Sequence, residues 1–198
     1  MKYLTASALA LSMLSFNASA ELLVGGNLFT SISGDAKAEF DVLDDEITEN
    51  TDVSGLSFFI GSKSERNNRF LLSLESTTVD FDKSNDSEDL TGLNFDWQFV
   101  YTDEQIKPYW AIGFGVYKVD EALVLTGTDK EGDSLSGFAF QLGAGAKIEV
   151  TPQFELDVSF KRQAIVWQDI ELDVGFVTET ISTTYVHNSV NVGAAFMF

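Results

Sequence analysis

The chain has 198 residues, a formal net charge of −19 and no cysteine, yet 44% of it is hydrophobic and 17 residues are Phe. The missing thiols exclude a disulfide framework, a thiolate nucleophile and a thiolate metal site. The acidic balance excludes nucleic acid as a partner, because phosphate binding needs a basic surface. Acidic disordered chains lack aromatics, so charged and apolar groups must occupy separate regions of one folded domain.

The first twenty residues read as a signal peptide, with Lys2, an apolar run from Leu4 to Leu14 and the small-residue box Ala18-Ser19-Ala20. The apolar run is shorter than the roughly 20 residues a spanning helix needs. Cleavage is expected after Ala20, leaving a single domain over 21–198 that is exported from the cytoplasm. From there the apolar residues recur at every second position in segments of about ten, the pattern of strands with one apolar face. Strands are predicted at 22–33, 53–63, 69–79, 91–102, 107–119, 136–150, 153–167 and 185–198. Phe154, Leu156, Val158 and Phe160 alternate with Glu155, Asp157, Ser159 and Lys161, and Leu93, Phe95, Trp97, Phe99 and Tyr101 with Asn94, Asp96 and Gln98. Eight is an even number, as a closed antiparallel bacterial barrel requires. Connections alternate between short (64–68, 103–106, 151–152) and long (34–52, 80–90, 120–135, 168–184). That arrangement places short turns and both termini in the periplasm and four long loops outside the cell.

A soluble eight-stranded barrel alternates in the same way with its apolar face inward. Three features favour the membrane version: aromatics near segment ends (Trp97, Tyr101, Tyr109, Trp110, Trp167, Tyr185), small residues on the polar face, and the last strand. That strand runs Val190, Val192, Ala194, Phe196, Phe198 in strict alternation. Phe196 and Phe198 resemble the terminal signal read by the outer-membrane assembly machinery.

Three stretches carry a family resemblance: Lys107-Pro-Tyr-Trp-Ala-Ile-Gly-Phe-Gly-Val116, Gly137-Phe-Ala-Phe-Gln-Leu-Gly-Ala-Gly-Ala146 and Val150-Thr-Pro-Gln-Phe-Glu-Leu-Asp-Val158. They resemble the fifth strand, sixth strand and sixth-to-seventh hairpin of the small outer-membrane β-barrel family that includes the OmpA barrel domain and OmpX. The resemblance implies an all-β fold, an eight-stranded antiparallel transmembrane β-barrel in the cell outer membrane. It also implies contact with outer-membrane lipid and lipopolysaccharide, no cofactor and no enzymatic activity. No peptidoglycan-binding domain is expected after the barrel, and with it no cell-wall anchoring. The expected role is structural or surface-interacting, carried by the loops; a narrow cation-leaning porin is the alternative, and a lipid A-modifying hydrolase a minor one. Adhesion, complement evasion and envelope stabilisation are family roles that the residues do not rank.

By phase, the lumen holds Asn27, Glu75, Asp96, Gln98, Gln141, Lys147, Glu149, Glu155, Asp157, Lys161, Gln163 and Asn191. An eight-stranded barrel is just filled by side chains, so a salt-bridged plug is expected, with Lys161 paired to Asp157 or Asp96. An acidic excess inside would make any pore cation-preferring. Glycines at 113, 115, 143 and 145 either leave space or allow tight curvature. Most of the 31 acids fall in the long loops, a solvated surface suited to basic partners or divalent cations. Asp82, Asp86 and Glu88 are the candidate cation ligands there, without the glycine and register of an EF-hand loop. Arg162 falls in the outward phase. A charge there costs about 2–4 kcal/mol at the membrane midplane and almost nothing at the interface, so a lipopolysaccharide phosphate contact or a snorkelling side chain is expected. His187 and Ser189 form a His-x-Ser pair resembling that of the outer-membrane lipid A deacylase, but their phase points to the lumen.

Overall fold

A computed structural model describes residues 21–41, 45–83, 86–119, 134–174 and 177–198, with the side chains of 171–179 outside the description. The expected leader 1–20 lies outside the described residues. So do Asp44 of the first loop and Asp120, Glu121, Asp129, Glu131 and Asp133 of the third, as well as the side chains of Glu171, Asp173 and Glu179.

Nine strands follow one another, with no helix among the described residues: β1 (Glu21–Phe40), β2 (Asp45–Lys63), β3 (Arg69–Phe81), β4 (Ser87–Val100), β5 (Ile106–Val119), β6 (Leu135–Thr151), β7 (Phe154–Trp167), β8 (Ile170–Val174) and β9 (Val177–Met197). Each pairs antiparallel with its neighbours, and β1 meets β9 from Leu23↔Met197 to Phe40↔Ile181. Eight strands therefore close into a ring, while β8 is a five-residue arm paired with the start of β9 (Ile170↔Ile181 to Val174↔Val177). Closure leaves no sheet edge to be satisfied by water, the condition for crossing a bilayer with strands.

The eight predicted strands are all present, but the outer ends of β1–β4 and β9 run further than the alternation suggested, while β5 and β7 end where it placed them. β1 continues to Phe40 and β2 begins at Asp45, so most of the expected first loop is a hairpin; the expected fourth loop likewise contains β8 and the start of β9. The physical reason is an inversion of polarity along the strands that extend, β1–β4 and β9; on β6 and β7, Phe138 and Val166 stay outward and exposed. On β3, Phe70, Leu72 and Leu74 face outward and are exposed, whereas Ser73 and Glu75 are buried inside. Beyond Leu74 the outward residues become Ser76, Thr78 and Asp80, and the inward ones Val79 and Phe81, 2% and 3% exposed. β2 does the same, with Leu56, Phe58 and Ile60 outward near the periplasmic end and Ser54, Asp52 and Asn50 outward above them. The strand period of two is unbroken. What changes is the solvent on the outside, from hydrocarbon to water.

The interior is layered accordingly. An apolar cluster of Phe29, Val53, Val79, Phe81, Leu90, Val119, Ile165, Trp167 and Tyr185 fills the outer tier. Polar side chains fill the tier within the apolar band, and a smaller cluster of Leu23, Phe59, Leu71, Ala195 and Met197 lies toward the periplasmic end. Three of the six aromatics expected at the lipid interface, Trp97, Tyr101 and Trp110, do face outward. The other three do not: Tyr109, Trp167 and Tyr185 are buried inside, because they fall in the opposite phase of their strands. Trp97 and Trp110 join a row of rings across β3, β4 and β5, with Phe70 and Trp97 at 5.2 Å, Trp97 and Phe99 at 4.5 Å, and Phe99 and Trp110 at 4.2 Å between ring centroids.

At the periplasmic turns, Asn67 takes φ 60°, a left-handed conformation that Asn tolerates better than most residues. Its amide donates to Thr102 O at 3.3 Å and to the Asp103 carboxylate, tying two turns together. Phe198 N donates to Leu22 O at 3.0 Å where the ring closes, and the Phe196 and Phe198 rings meet edge to face at 4.9 Å on the outward side.

Candidate functional site

Two places hold the polar groups: the lumen between the apolar clusters, and the outer wall above the apolar band. The lumen is a chain of paired charges. Nearest the periplasm, Arg69 Nη1 lies 2.6 Å from Glu155 Oε2, both side chains 1% exposed, and Lys107 Nζ donates to Glu155 Oε1 at 2.8 Å and to Glu149. One step up, Lys147 pairs with Asp157, which also accepts from Tyr109 Oη at 3.0 Å, and the Lys147 ammonium sits 4.5 Å from the centre of the Tyr109 ring. Above these, Gln141 Nε2 donates to Asp96 Oδ1 at 2.6 Å, and Gln163 Nε2 donates to Gln141 Oε1 and Tyr117 Oη, each at 2.8 Å. Tyr117 Oη in turn donates to Glu75 Oε1 at 2.7 Å, and Lys161 Nζ reaches Glu75 Oε2 at 3.0 Å.

All twelve residues expected in the lumen are on the inward phase, but the pairing differs in one respect. Lys161 joins Glu75, not Asp157 or Asp96. Asp157 stands directly opposite Lys147 across the β6–β7 ladder, while Lys161 stands opposite Gly143 and Ser189 and reaches across the barrel instead. The sequence reading missed, among other lumen members, Arg69, Lys107, Tyr109, Tyr117 and Asn94, whose amide donates to Tyr117 Oη at 2.8 Å. The phase of Leu71, Ser73 and Glu75 already implied Arg69, whose place beside a turn hid it. Arg69 and Lys107 join Lys147 and Lys161 against Glu75, Asp96, Glu149, Glu155 and Asp157, so the expected acidic excess inside nearly cancels.

The lumen cavity has a volume of about 80 Å³, lined by groups that include Asn27, Ser57, Ser73, Asp96, Lys161 and Asn191. That is room for a few water molecules. The Arg69–Glu155 pair lies toward one end and the apolar cluster around Leu90 and Ile165 toward the other. Gly113 and Gly92 do not open it: a Cβ at Gly113 would collide with Asp96 and Gln141, and one at Gly92 with the Tyr117 ring, so both give up their own volume to neighbours' side chains. Gly143 does border the cavity, and a Cβ there would meet only Phe160 O at 3.3 Å and Ala111 Cβ at 3.7 Å.

His187 and Ser189 are 2% and 0% exposed on the inner face of β9. Ser189 Oγ donates to Lys161 O at 3.4 Å, and His187 stands opposite Gln163. Neither reaches the lipid side, where an ester of a membrane lipid would have to bind.

On the outer wall, Asp35, Glu39, Asp41, Asp45, Asp52, Asp80, Asp82, Asp86, Asp89 and Asp169 are exposed. Two acids expected on this surface turn inward: Glu49 and Glu88, 7% and 3% exposed. Glu88 accepts from Tyr185 Oη at 2.7 Å within the upper core. The trio Asp82, Asp86 and Glu88 is thus divided between the two sides of the wall and does not form one oxygen shell, and among the described residues no cluster of carboxylates or His has metal-binding geometry. Lys37 lies between Glu39 and Glu46, at 2.7 and 2.9 Å. Hydrogen bonds to Glu39 and then Glu46 hold its ammonium protonated well above the ordinary lysine range. Arg162 is exposed on the outward face of β7, between Leu142 of β6 and Asn188 of β9.

The family described as the outer membrane protein beta-barrel domain matches residues 4–198. No curated protein matches the chain. Among solved structures, it resembles the outer membrane protein AlkL in lipid bilayers, with 16% identity, 93% of each chain covered and a TM-score of 0.54. It also resembles a major outer membrane protein of Thermus thermophilus, with 13% identity, 91% of this chain and 100% of that one covered and a TM-score of 0.50. At these identities the likeness concerns the fold alone.

Proposed function

Because the chain belongs to the outer membrane β-barrel family and lies in the outer membrane, we propose that it is a closed, non-conducting barrel whose task is structural and surface-interacting, performed by a stiff acidic wall held above the outer leaflet. The observation that carries this reading is the inversion of polarity along the strands. Above the apolar band the barrel keeps its ladders and gains an apolar core of its own, so Asp35, Asp52, Asp80 and Asp89 sit on β-structure and not on slack loops. A fixed array of one sign raises the local concentration of oppositely charged partners. Basic surface partners or divalent cations suit it, with weak affinity that falls as salt rises.

Opening the lumen as a channel would require breaking the buried Arg69–Glu155 pair and displacing the apolar cluster, so a resting pore is disfavoured. Planar-bilayer recordings on the purified barrel are expected to show no discrete conductance, and a stable, cation-selective step would replace this reading with the channel. For the surface role, cells displaying the protein should bind a fluorescent polylysine in a salt-sensitive way. Neutralising Asp52, Asp80 and Asp89 to Asn should reduce that binding several-fold at low salt; unchanged binding would remove the acidic wall as the interacting surface.

A further inference from the structure

We infer that Arg162, with Asn188 and Ser33, forms a binding site for a lipid phosphate of the outer leaflet. The inference rests on membrane insertion and not on the proposed surface role. Arg162 interrupts an apolar outward face: Leu156, Val158 and Phe160 precede it on β7, Val166 follows, and Leu142 stands opposite it on β6. No ion-pair or hydrogen-bond partner meets it among the described residues. A guanidinium cannot lose its proton, so in hydrocarbon it must find an anion from outside the chain or extend to the headgroups.

Its depth suits the first outcome. Arg162 lies eight residues beyond Phe154, where the lipid-facing run of β7 begins. At about 3.3 Å per residue and a tilt of about 40°, that is about 20 Å up an apolar band about 25 Å tall. The side chain therefore ends near the phosphate level of the outer leaflet.

The neighbouring strands add donors there. Asn188 stands opposite Arg162 on β9, and Ser33 stands opposite Asn188 on β1. Asn188 Nδ2 donates to Ser33 Oγ at 3.0 Å, which leaves the second amide hydrogen and the Ser33 hydroxyl hydrogen free to donate. Past Val190, the outward face of β9 turns polar at this row. Three strands thus present a fork-shaped cation and two neutral donors side by side, with no carboxylate among them. A phosphate has the oxygens to accept from all three, and Arg can meet it bidentately.

The test is native mass spectrometry of the refolded barrel in a mild detergent, with lipid A, dephosphorylated lipid A and phosphatidylglycerol as separate titrants. Heat-modifiable gel migration confirms that each variant is folded. Wild type should bind lipid A at least tenfold more tightly than dephosphorylated lipid A, Arg162→Gln should lose that difference, and Arg162→Lys should keep part of it by charge without the bidentate geometry. Asn188→Ala should weaken binding a few-fold. Phosphatidylglycerol bound as tightly as lipid A, and lost in Arg162→Gln, would assign the site to a phospholipid phosphate. Equal binding of lipid A by wild type and Arg162→Gln, or of phosphorylated and dephosphorylated lipid A by wild type, would overturn the inference.

Discussion

Two tiers of the same strands are built on opposite plans. Within the apolar band, Phe58, Leu72, Leu74 and Phe140 face out, and Glu75, Gln141, Lys147 and Asp157 face in. Above it, Asp52, Thr78 and Asp80 face out, and Val53, Val79, Leu90 and Ile165 face in. The lower tier takes its outward apolar surface from the bilayer's preference and is held inside by ion pairs and hydrogen bonds. The upper tier is held as a soluble β-barrel is, by apolar burial. Backbone pairing is continuous between them, so the bilayer changes side-chain polarity without interrupting the ladder.

The difference makes the two tiers fail in different ways. Arg69→Ala should have the largest effect, because it removes one of the two cations that hold the buried Glu155 and leaves Lys107 alone on it; truncating one member of a buried pair costs up to about 3–5 kcal/mol. Denaturant unfolding in lipid vesicles would show it, and the double change Arg69→Met with Glu155→Leu should recover most of the loss. If the double variant is as unstable as the single one, the lower tier is not held by charge pairing in the way described.

Next come arginine insertions on the outward face. Phe58→Arg should cost about 2–4 kcal/mol if position 58 is in hydrocarbon, while Asp52→Arg, higher on the same face, should cost less than about 0.5 kcal/mol. Equal effects in a vesicle titration would erase the boundary between the tiers. A smaller loss, about 0.5–1.5 kcal/mol, is expected for Ile165→Val in the upper core. It should appear first as faster protease cutting of the outer strands on whole cells, with gel migration of the barrel unchanged.

Lys37→Ala should leave the unfolding midpoint unchanged, because its ion pairs are exposed to water and screened. The raised ammonium pKa means that any contribution is fully present below the ordinary lysine range and lost only as pH rises through the folded value. A midpoint that moves between pH 6 and 8 through Lys37 would contradict the pairing.

How legible this was in the chain depended on the tier. Leu72 and Leu74, or Val190 and Val192, announce a lipid face because long apolar side chains recur at every second residue in segments of membrane length. The even strand count, the termini on one side and the phase of Glu75, Asp96, Gln141 and Lys161 follow from the same period. Val79, Phe81 and Leu90 carry an equally regular alternation in the other phase. Read against the membrane pattern they look like the end of a strand, which is why segments that form paired strands pass for loops.

What composition and period determined by themselves was a closed barrel with acids at one end and polar groups inside, since strand periodicity is local and survives any environment. Only the tertiary structure decided who pairs with whom. Lys147 faces Asp157 because the β6–β7 register sets them opposite, and Lys161 is left to cross the lumen to Glu75. Arg69 and Glu155 lie far apart in sequence and on strands that are not paired with each other, and only the curvature that closes the ring brings them within 2.6 Å. Glu88 and Tyr185 are equally remote, and their meeting turns an acid counted with the surface into part of a core. Contacts across a barrel depend on shear and radius, which no single strand encodes.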